Sequence, residues 1–143
     1  MNNERKQILY VDDDQASLDM MTNWISSNEE SFEVTTVNSV AAALDAVGSC
    51  SYDLFLLDDF LGRGSGVGLC REIRALGSKK PVIIYSGQVS PENFERAKAA
   101  GVNGYLVKPD DMDMLVPAIR RVLGLKPRVF ADKIRPRAVQ AIL

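Results

Sequence analysis

Tyr52-Asp53-Leu54-Phe55-Leu56-Leu57-Asp58-Asp59 is the stretch on which the reading of this chain turns. Four apolar residues run without interruption into two carboxylates, and the Gly-rich segment Leu61-Gly62-Arg63-Gly64-Ser65-Gly66 follows. An unbroken apolar run this short fits a strand buried on both faces, as in a parallel sheet covered by helices. Carboxylates at its C-terminal end then lie in the crevice beyond the strand ends, where open α/β sheets hold their sites. The central expectation is therefore a buried strand that delivers Asp58 to a polar crevice.

The flanking sequence repeats the pattern. Gln7 to Val11 is apolar and β-rich, and Asp12-Asp13-Asp14 follows at once. Leu18, Met21 and Ile25 recur at helical spacing beside Trp24, giving an amphipathic helix over 15–28. Phe32 to Val37 reads as a second strand, and Ser39 caps a helix that carries Val40, Ala43, Leu44 and Val47 and stops at Gly48. After the Asp53–Leu57 strand, a helix with Leu69, Ile73 and Leu76 closes at Gly77, and Pro81 to Tyr85 forms a fourth strand running into Ser86-Gly87. Ser90-Pro91 with Glu92 and Glu95 opens a fourth helix, which Gly101 ends. Gly104 to Val107 is a short fifth strand, closed by Lys108-Pro109. Asp111 then caps a last helix with Leu115, Ile119 and Val122, slightly kinked at Pro117. Five strands alternating with five helices imply a parallel sheet with right-handed crossovers and helices on both faces. The pattern covers 7–123 and lapses after Gly124, so 124–143 reads as an extension or linker.

At 143 residues the chain is one domain of ordinary globular composition, with no apolar run near the ~20 residues of a membrane span. Its start leads straight into a strand with no signal-peptide region, and Cys50 and Cys70 match no metal or redox spacing, so a cytoplasmic protein with reduced thiols is expected. The absence of histidine excludes His-based triads, His metal sites and phosphohistidine chemistry from this chain. The net charge of −2 conceals an asymmetry. Lys126, Arg128, Lys133, Arg135 and Arg137 against Asp132 make 124–143 basic by +4, leaving −6 on 1–123. Such a tail can touch nucleic acid or a partner, or serve as a solvated helix or linker.

Four strand ends carry polar residues: Asp12 and Asp13 after the first, Asp58 and Asp59 after the third, Ser86 after the fourth, Lys108 after the fifth. In a parallel sheet these ends converge on one rim. Crowded carboxylates repel one another and raise their pKa values unless a cation offsets them. Oxygen-only ligation suits Mg²⁺, which takes one or two carboxylates plus phosphate oxygens. A nearby hydroxyl and ammonium are donors for an anion's oxygens. The set fits phosphoryl transfer onto a carboxylate, where positioning and charge neutralisation do most of the work.

Across 8–123 the sequence resembles the CheY-like receiver domain of two-component response regulators. The resemblance is carried by Ile8-Leu9-Tyr10-Val11-Asp12-Asp13-Asp14, by Asp53-Leu54-Phe55-Leu56-Leu57-Asp58 with Gly66 eight residues on, by Ile84-Tyr85-Ser86-Gly87 and by Gly104-Tyr105-Leu106-Val107-Lys108-Pro109. It implies a doubly wound, flavodoxin-like sheet of order 2-1-3-4-5 and a domain that catalyses only its own phosphorylation and dephosphorylation. Asp58 resembles the phosphoacceptor. Asp12 and Asp13 resemble the pair that binds Mg²⁺, with the Phe60 carbonyl as a further ligand. Ser86 and Lys108 match the hydroxyl and lysine that meet the phosphoryl group, Tyr105 matches the switch aromatic, and the Lys108–Pro109 bond is implied to be cis. The implied donor is a sensor histidine kinase or phosphotransfer protein. The implied output surface, also a possible homodimer interface, is formed by the fourth helix, fifth strand and fifth helix, and nucleic acid would be reached only through an output domain absent from this chain.

The sequence also departs from the family. Asp59 is a second carboxylate beside the acceptor, Gly62 and Gly64 add slack to the following loop, and bulky Phe60 stands next to the site. Alternatives are a degenerate receiver acting as an unphosphorylated interaction module, an aspartyl-nucleophile phosphohydrolase, and a flavin- or nucleotide-binding module. The hydrolase usually needs a second acid two residues past the nucleophile, where this chain has Phe60, and a cap for which 143 residues leave no room. The binding module lacks a phosphate loop after the first strand, and 62–66 lacks the Lys-Ser/Thr of a P-loop.

Overall fold

The short aliphatic runs pair side by side into one sheet, and the turn residues between them set where each helix begins and ends. The computed structural model describes residues 4–87, 90–126 and 140–141. Along the chain come β1 (Lys6–Val11), α1 (Gln15–Asn28), β2 (Phe32–Val37), α2 (Val40–Ser49), β3 (Leu54–Leu57), α3 (Gly66–Ala75), β4 (Val82–Ser86), α4 (Pro91–Ala99), β5 (Gly104–Val107), α5 (Leu115–Val122) and β6 (Gln140–Ala141). The first five strands are parallel in the order β2-β1-β3-β4-β5, as expected. The two-residue β6 adds an antiparallel edge, pairing Ala141 with Gly104 and Gln140 with Tyr105.

Period-two alternation splits the core into two layers. Leu9, Val11, Phe55, Leu57, Ile84 and Tyr105 face the side packed by Ala43, Leu69, Ile73 and Ala97 of α2, α3 and α4. Ile8, Tyr10, Leu54, Leu56, Ile83, Tyr85 and Leu106 face the side packed by Leu18, Met21 and Ile25 of α1 and Leu115 and Ile119 of α5. β3 and β4 are buried along their whole length, which is why they read as continuous apolar runs.

Local chemistry fixes the helix ends. Asp14, Ser39, Ser65 and Ser90 accept from the backbone N–H groups of Ser17, Ala42, Gly68 and Asn93. Gly77 and Gly101 take the left-handed conformation that stops α3 and α4 (φ +95° and +89°). The Lys108–Pro109 bond is cis.

Four expectations are corrected. Gly48 does not end α2, which runs on to Ser49; one helical glycine costs only about 1 kcal/mol. Leu76 is not core: it sits one residue past α3 and is 64% exposed. Asp111 does not cap the last helix, because its Oδ2 turns back to accept from Val107 N at 2.9 Å. A 3₁₀ turn over Met112–Met114 intervenes, held to α1 by the Trp24 Nε1 bond to the Met112 carbonyl at 3.2 Å. α5 therefore begins at Leu115, and Pro117 falls in its first turn. There the N–H has no helical carbonyl to lose, so the expected kink has no cause. Of the basic extension, 127–139 and 142–143 lie outside the described residues.

Candidate functional site

Strand register brings the polar ends together. Val11 pairs with Leu57, so Asp12 and Asp58 leave the sheet side by side; Ser86 pairs with Val107, so Lys108 emerges next to it. Asp12 is fully buried, Asp58 is 7% exposed, Ser86 is fully buried and Asp13 is exposed. One carboxylate oxygen from each of Asp12, Asp13 and Asp58 lies within 4.8 Å of the others.

Lys108 Nζ reaches into this cluster, donating to Asp12 Oδ2 at 2.7 Å and, more loosely, to Asp58 Oδ2 at 3.5 Å. Its ammonium also lies 5.5 Å from the centre of the Tyr85 ring, within reach of a cation–π contact. Asp12 is held from two further directions, by Tyr10 Oη on Oδ2 (2.9 Å) and by Asp14 N on Oδ1 (3.0 Å). Phe60 N donates to Asp58 Oδ1 at 3.3 Å.

The charge balance leaves a deficit. Burial pushes the Asp58 carboxyl up to about 6, Lys108 pulls it down and Asp12 adds to the rise. Burial, reinforced by the Asp12 charge, also holds the Tyr10 phenol well above its ordinary value, so it stays protonated and donates. Three crowded carboxylates against one ammonium are an oxygen-rich, electronegative cluster of the kind that takes a hard divalent cation. The cluster is compatible with Mg²⁺ binding.

Asp59 is engaged elsewhere. Its Oδ1 accepts from Val67 N at 3.2 Å and its carbonyl from Gly66 N at 3.3 Å, which ties the strand end to the start of α3. The Gly-rich loop carries a backbone pairing of its own. Leu61 and Gly64 exchange backbone hydrogen bonds across a tight turn in which Gly62 takes φ +65°. Gly66 allows close approach: a Cβ there would stand 2.5 Å from the Asp58 carbonyl oxygen.

Tyr105 is fully buried with its ring 6.2 Å from that of Phe94, and burial, then Asp59 and Asp58, push its phenol up to about 12. Phe60 is half exposed on the rim. Every residue expected at the site thus lies on or next to one rim of the sheet. Two were missed, Tyr10 and Tyr85. Each is an aromatic with polar character inside an otherwise aliphatic strand, and Tyr10 stands two residues before Asp12, hence on the same face.

Comparison with known proteins agrees with this fold. The family model described as the response regulator receiver domain matches residues 8–120. The response regulator MprA of Mycobacterium bovis is 30% identical over 132 residues, 92% of this chain and 56% of that protein, so the chain spans about half the length of the curated relatives it matches. A CheY-like receiver domain protein from Methanospirillum hungatei superimposes with a TM-score of 0.78 at 27% identity, over 85% of this chain and 95% of that one. A response regulator structure from Chloroflexus aurantiacus gives 0.74 at 25% identity, over 85% and 99%. The chain belongs to the response regulator receiver domain family.

Proposed function

We propose that this domain accepts a phosphoryl group on Asp58 from the phosphohistidine of a sensor kinase or phosphotransfer protein, in a Mg²⁺-dependent reaction. The observation that carries the reading is the convergence of Asp12, Asp13, Asp58 and Lys108 on one point at the strand ends. Asp12, Asp13, Asp58 and the Phe60 carbonyl would hold Mg²⁺, which when bound supplies positive charge against the carboxylates and the phosphoryl oxygens. The chain's own part is positioning. An Asp58 oxygen forms the new O–P bond as the donor's P–N bond breaks, the bonding pair leaving on the imidazole nitrogen. Lys108, parked 2.7 Å from Asp12 and 3.5 Å from Asp58, needs only a short shift to meet a phosphoryl oxygen. Ser86 supplies a hydroxyl at the end of β4, and Tyr105 carries the change to the face formed by α4, β5 and α5, which serves for output or homodimerisation.

On this reading the domain turns over no other substrate and works in the cytoplasm. Among the described residues no helix is long and apolar enough to cross a bilayer. Intact mass after incubation with Mg²⁺ and acetyl phosphate tests the acceptor. A labile gain of about 80 Da, kept in Asp59→Asn and lost in Asp58→Asn, is expected. A gain that survives in Asp58→Asn overturns the assignment. No gain in any variant, with no beryllofluoride binding, points instead to a degenerate receiver that acts as an interaction module.

A further inference from the structure

The carboxylate of Asp12 is gripped in an unequal way. A carboxylate oxygen has two lone-pair directions. On Oδ2 both are taken, by Tyr10 Oη at 2.9 Å and Lys108 Nζ at 2.7 Å; on Oδ1 one is taken, by Asp14 N at 3.0 Å. Two of these three donors are fixed. Asp14 N belongs to the backbone, and the Tyr10 ring is fully buried in the core layer with Leu56, Ile83 and Leu106. Lys108 is the movable one, on a long side chain that is about one fifth exposed (22%).

We infer that Tyr10 is a positioning residue of the site: its hydroxyl, with Asp14 N on the other oxygen, locks the Asp12 carboxylate plane while Lys108 exchanges between Asp12 and an incoming anion. A buried carboxylate that lost its only partner on one oxygen would swing or draw the lysine back. With the phenol in place, Oδ2 keeps a donor when Lys108 leaves, and one lone pair on each oxygen is presented in a fixed direction. Hydrogen bonds to a charged acceptor are roughly twice as strong as neutral ones, so the lock is firm. Groups that orient a metal-binding carboxylate in this way commonly change metal affinity by about 10- to 100-fold when removed. The inference rests on the reading of Asp12, Asp13 and Asp58 as the Mg²⁺ site.

The test is calorimetric titration of Mg²⁺ into the wild-type chain, Tyr10→Phe and Tyr52→Phe, with a thermal melt of each. Tyr10→Phe keeps the ring and removes one oxygen; Tyr52→Phe does the same at a tyrosine on the edge of the opposite core layer. About tenfold weaker Mg²⁺ binding in Tyr10→Phe alone is expected. Affinity within about twofold of wild type, or an equal loss in Tyr52→Phe, overturns the inference. A second measurement needs no variant at position 10. In wild-type protein labelled with ¹³C at tyrosine Cζ, the Tyr10 resonance, assigned by elimination against the other three tyrosines, should move on Mg²⁺ addition. A resonance that stays put overturns the inference as well. Wild-type protein that binds no Mg²⁺ sinks the metal reading itself, whereas normal wild-type binding with no Tyr10 effect sinks only the role given to Tyr10.

Discussion

Asp58 is ionised at a cost to the fold. Burial lifts its pKa from the ordinary 3.8 to about 6, more than Lys108 lowers it. A folded state with the higher pKa binds the proton more tightly than the unfolded chain. This group therefore adds stability as pH falls from about 6 toward 4 and subtracts it at neutral pH, by on the order of 1–3 kcal/mol. In EDTA at pH 7.5, Asp58→Asn should melt a few degrees above wild type, and the gap should close as the pH approaches 5. Adding Mg²⁺ should then raise the melting temperature of the wild type by more than that of the variant. A variant less stable than wild type at pH 7.5 would show that the Lys108 attraction outweighs desolvation. At this scale the sequence was informative wherever a polar group ended an apolar run, as Asp12, Asp58 and Lys108 do. It was silent on Tyr10, whose hydroxyl is hidden in what reads as one more apolar strand position. For Asp59 the buried run and the spacing to Gly66 favoured Asp58 as the acceptor, but nothing in the sequence marked the bond its carboxylate accepts from Val67 N.

Elements are joined to the site by a few specific contacts. Gly66, the first residue of α3, lies against the Asp58 carbonyl. Helix propensity alone makes Gly66→Ala stabilising by up to about 1 kcal/mol. The 2.5 Å contact reverses the sign: the variant should be less stable in urea and bind Mg²⁺ more weakly, because relief requires the Asp58 backbone to move. A more stable variant with normal Mg²⁺ affinity would mean that the helix start shifts freely. Arg74 joins elements at the other end of the sheet. Its Nη1 donates to the carbonyls of Ser78 and Lys80, and its Nη2 to the Gly101 carbonyl and Asn103 Oδ1. Asn103 Oδ1 in turn accepts from Val82 N, so one guanidinium ties the end of α3 to the entries of β4 and β5. Arg74→Ala should cost about 1–3 kcal/mol by urea unfolding and leave Asp58 phosphorylation intact; Arg74→Lys should recover little, because an ammonium lacks the planar fork. A loss under about 0.5 kcal/mol in Arg74→Ala would reduce these bonds to solvated surface contacts. The Ser39 and Ser90 caps and the Gly77 and Gly101 stops were legible from single residues; the Gly48 stop was misjudged by one residue. The start of α5 was not legible, since the Asp111 carboxylate accepts from Val107 N at the end of β5 and leaves the helix start uncapped by a side chain.

For the whole molecule, alternating strand and helix signals were enough to predict the parallel sheet, because burial on both faces writes itself as aliphatic runs. β6 left no such mark. Gln140–Ala141 has no strand pattern of its own, and only the open side of β5 gives it one. That pairing has a consequence for self-association. Without it, β5 would have β4 on one side and unpaired backbone groups on the other, a template for a second chain. Among the described residues both core layers are built from 8–125, and Arg120 already holds the Lys126 carbonyl through Nε and Nη2 at 3.0 and 2.6 Å. A chain ending at Lys126 should therefore fold, melt within about 3 °C of the full chain and keep its Mg²⁺ affinity. It should also form dimers at lower concentration than the full chain, as read by size-exclusion chromatography with light scattering. Equal masses at every concentration would show that β6 does not guard the β5 edge, and a fall of ten degrees or more would show that the extension belongs to the core.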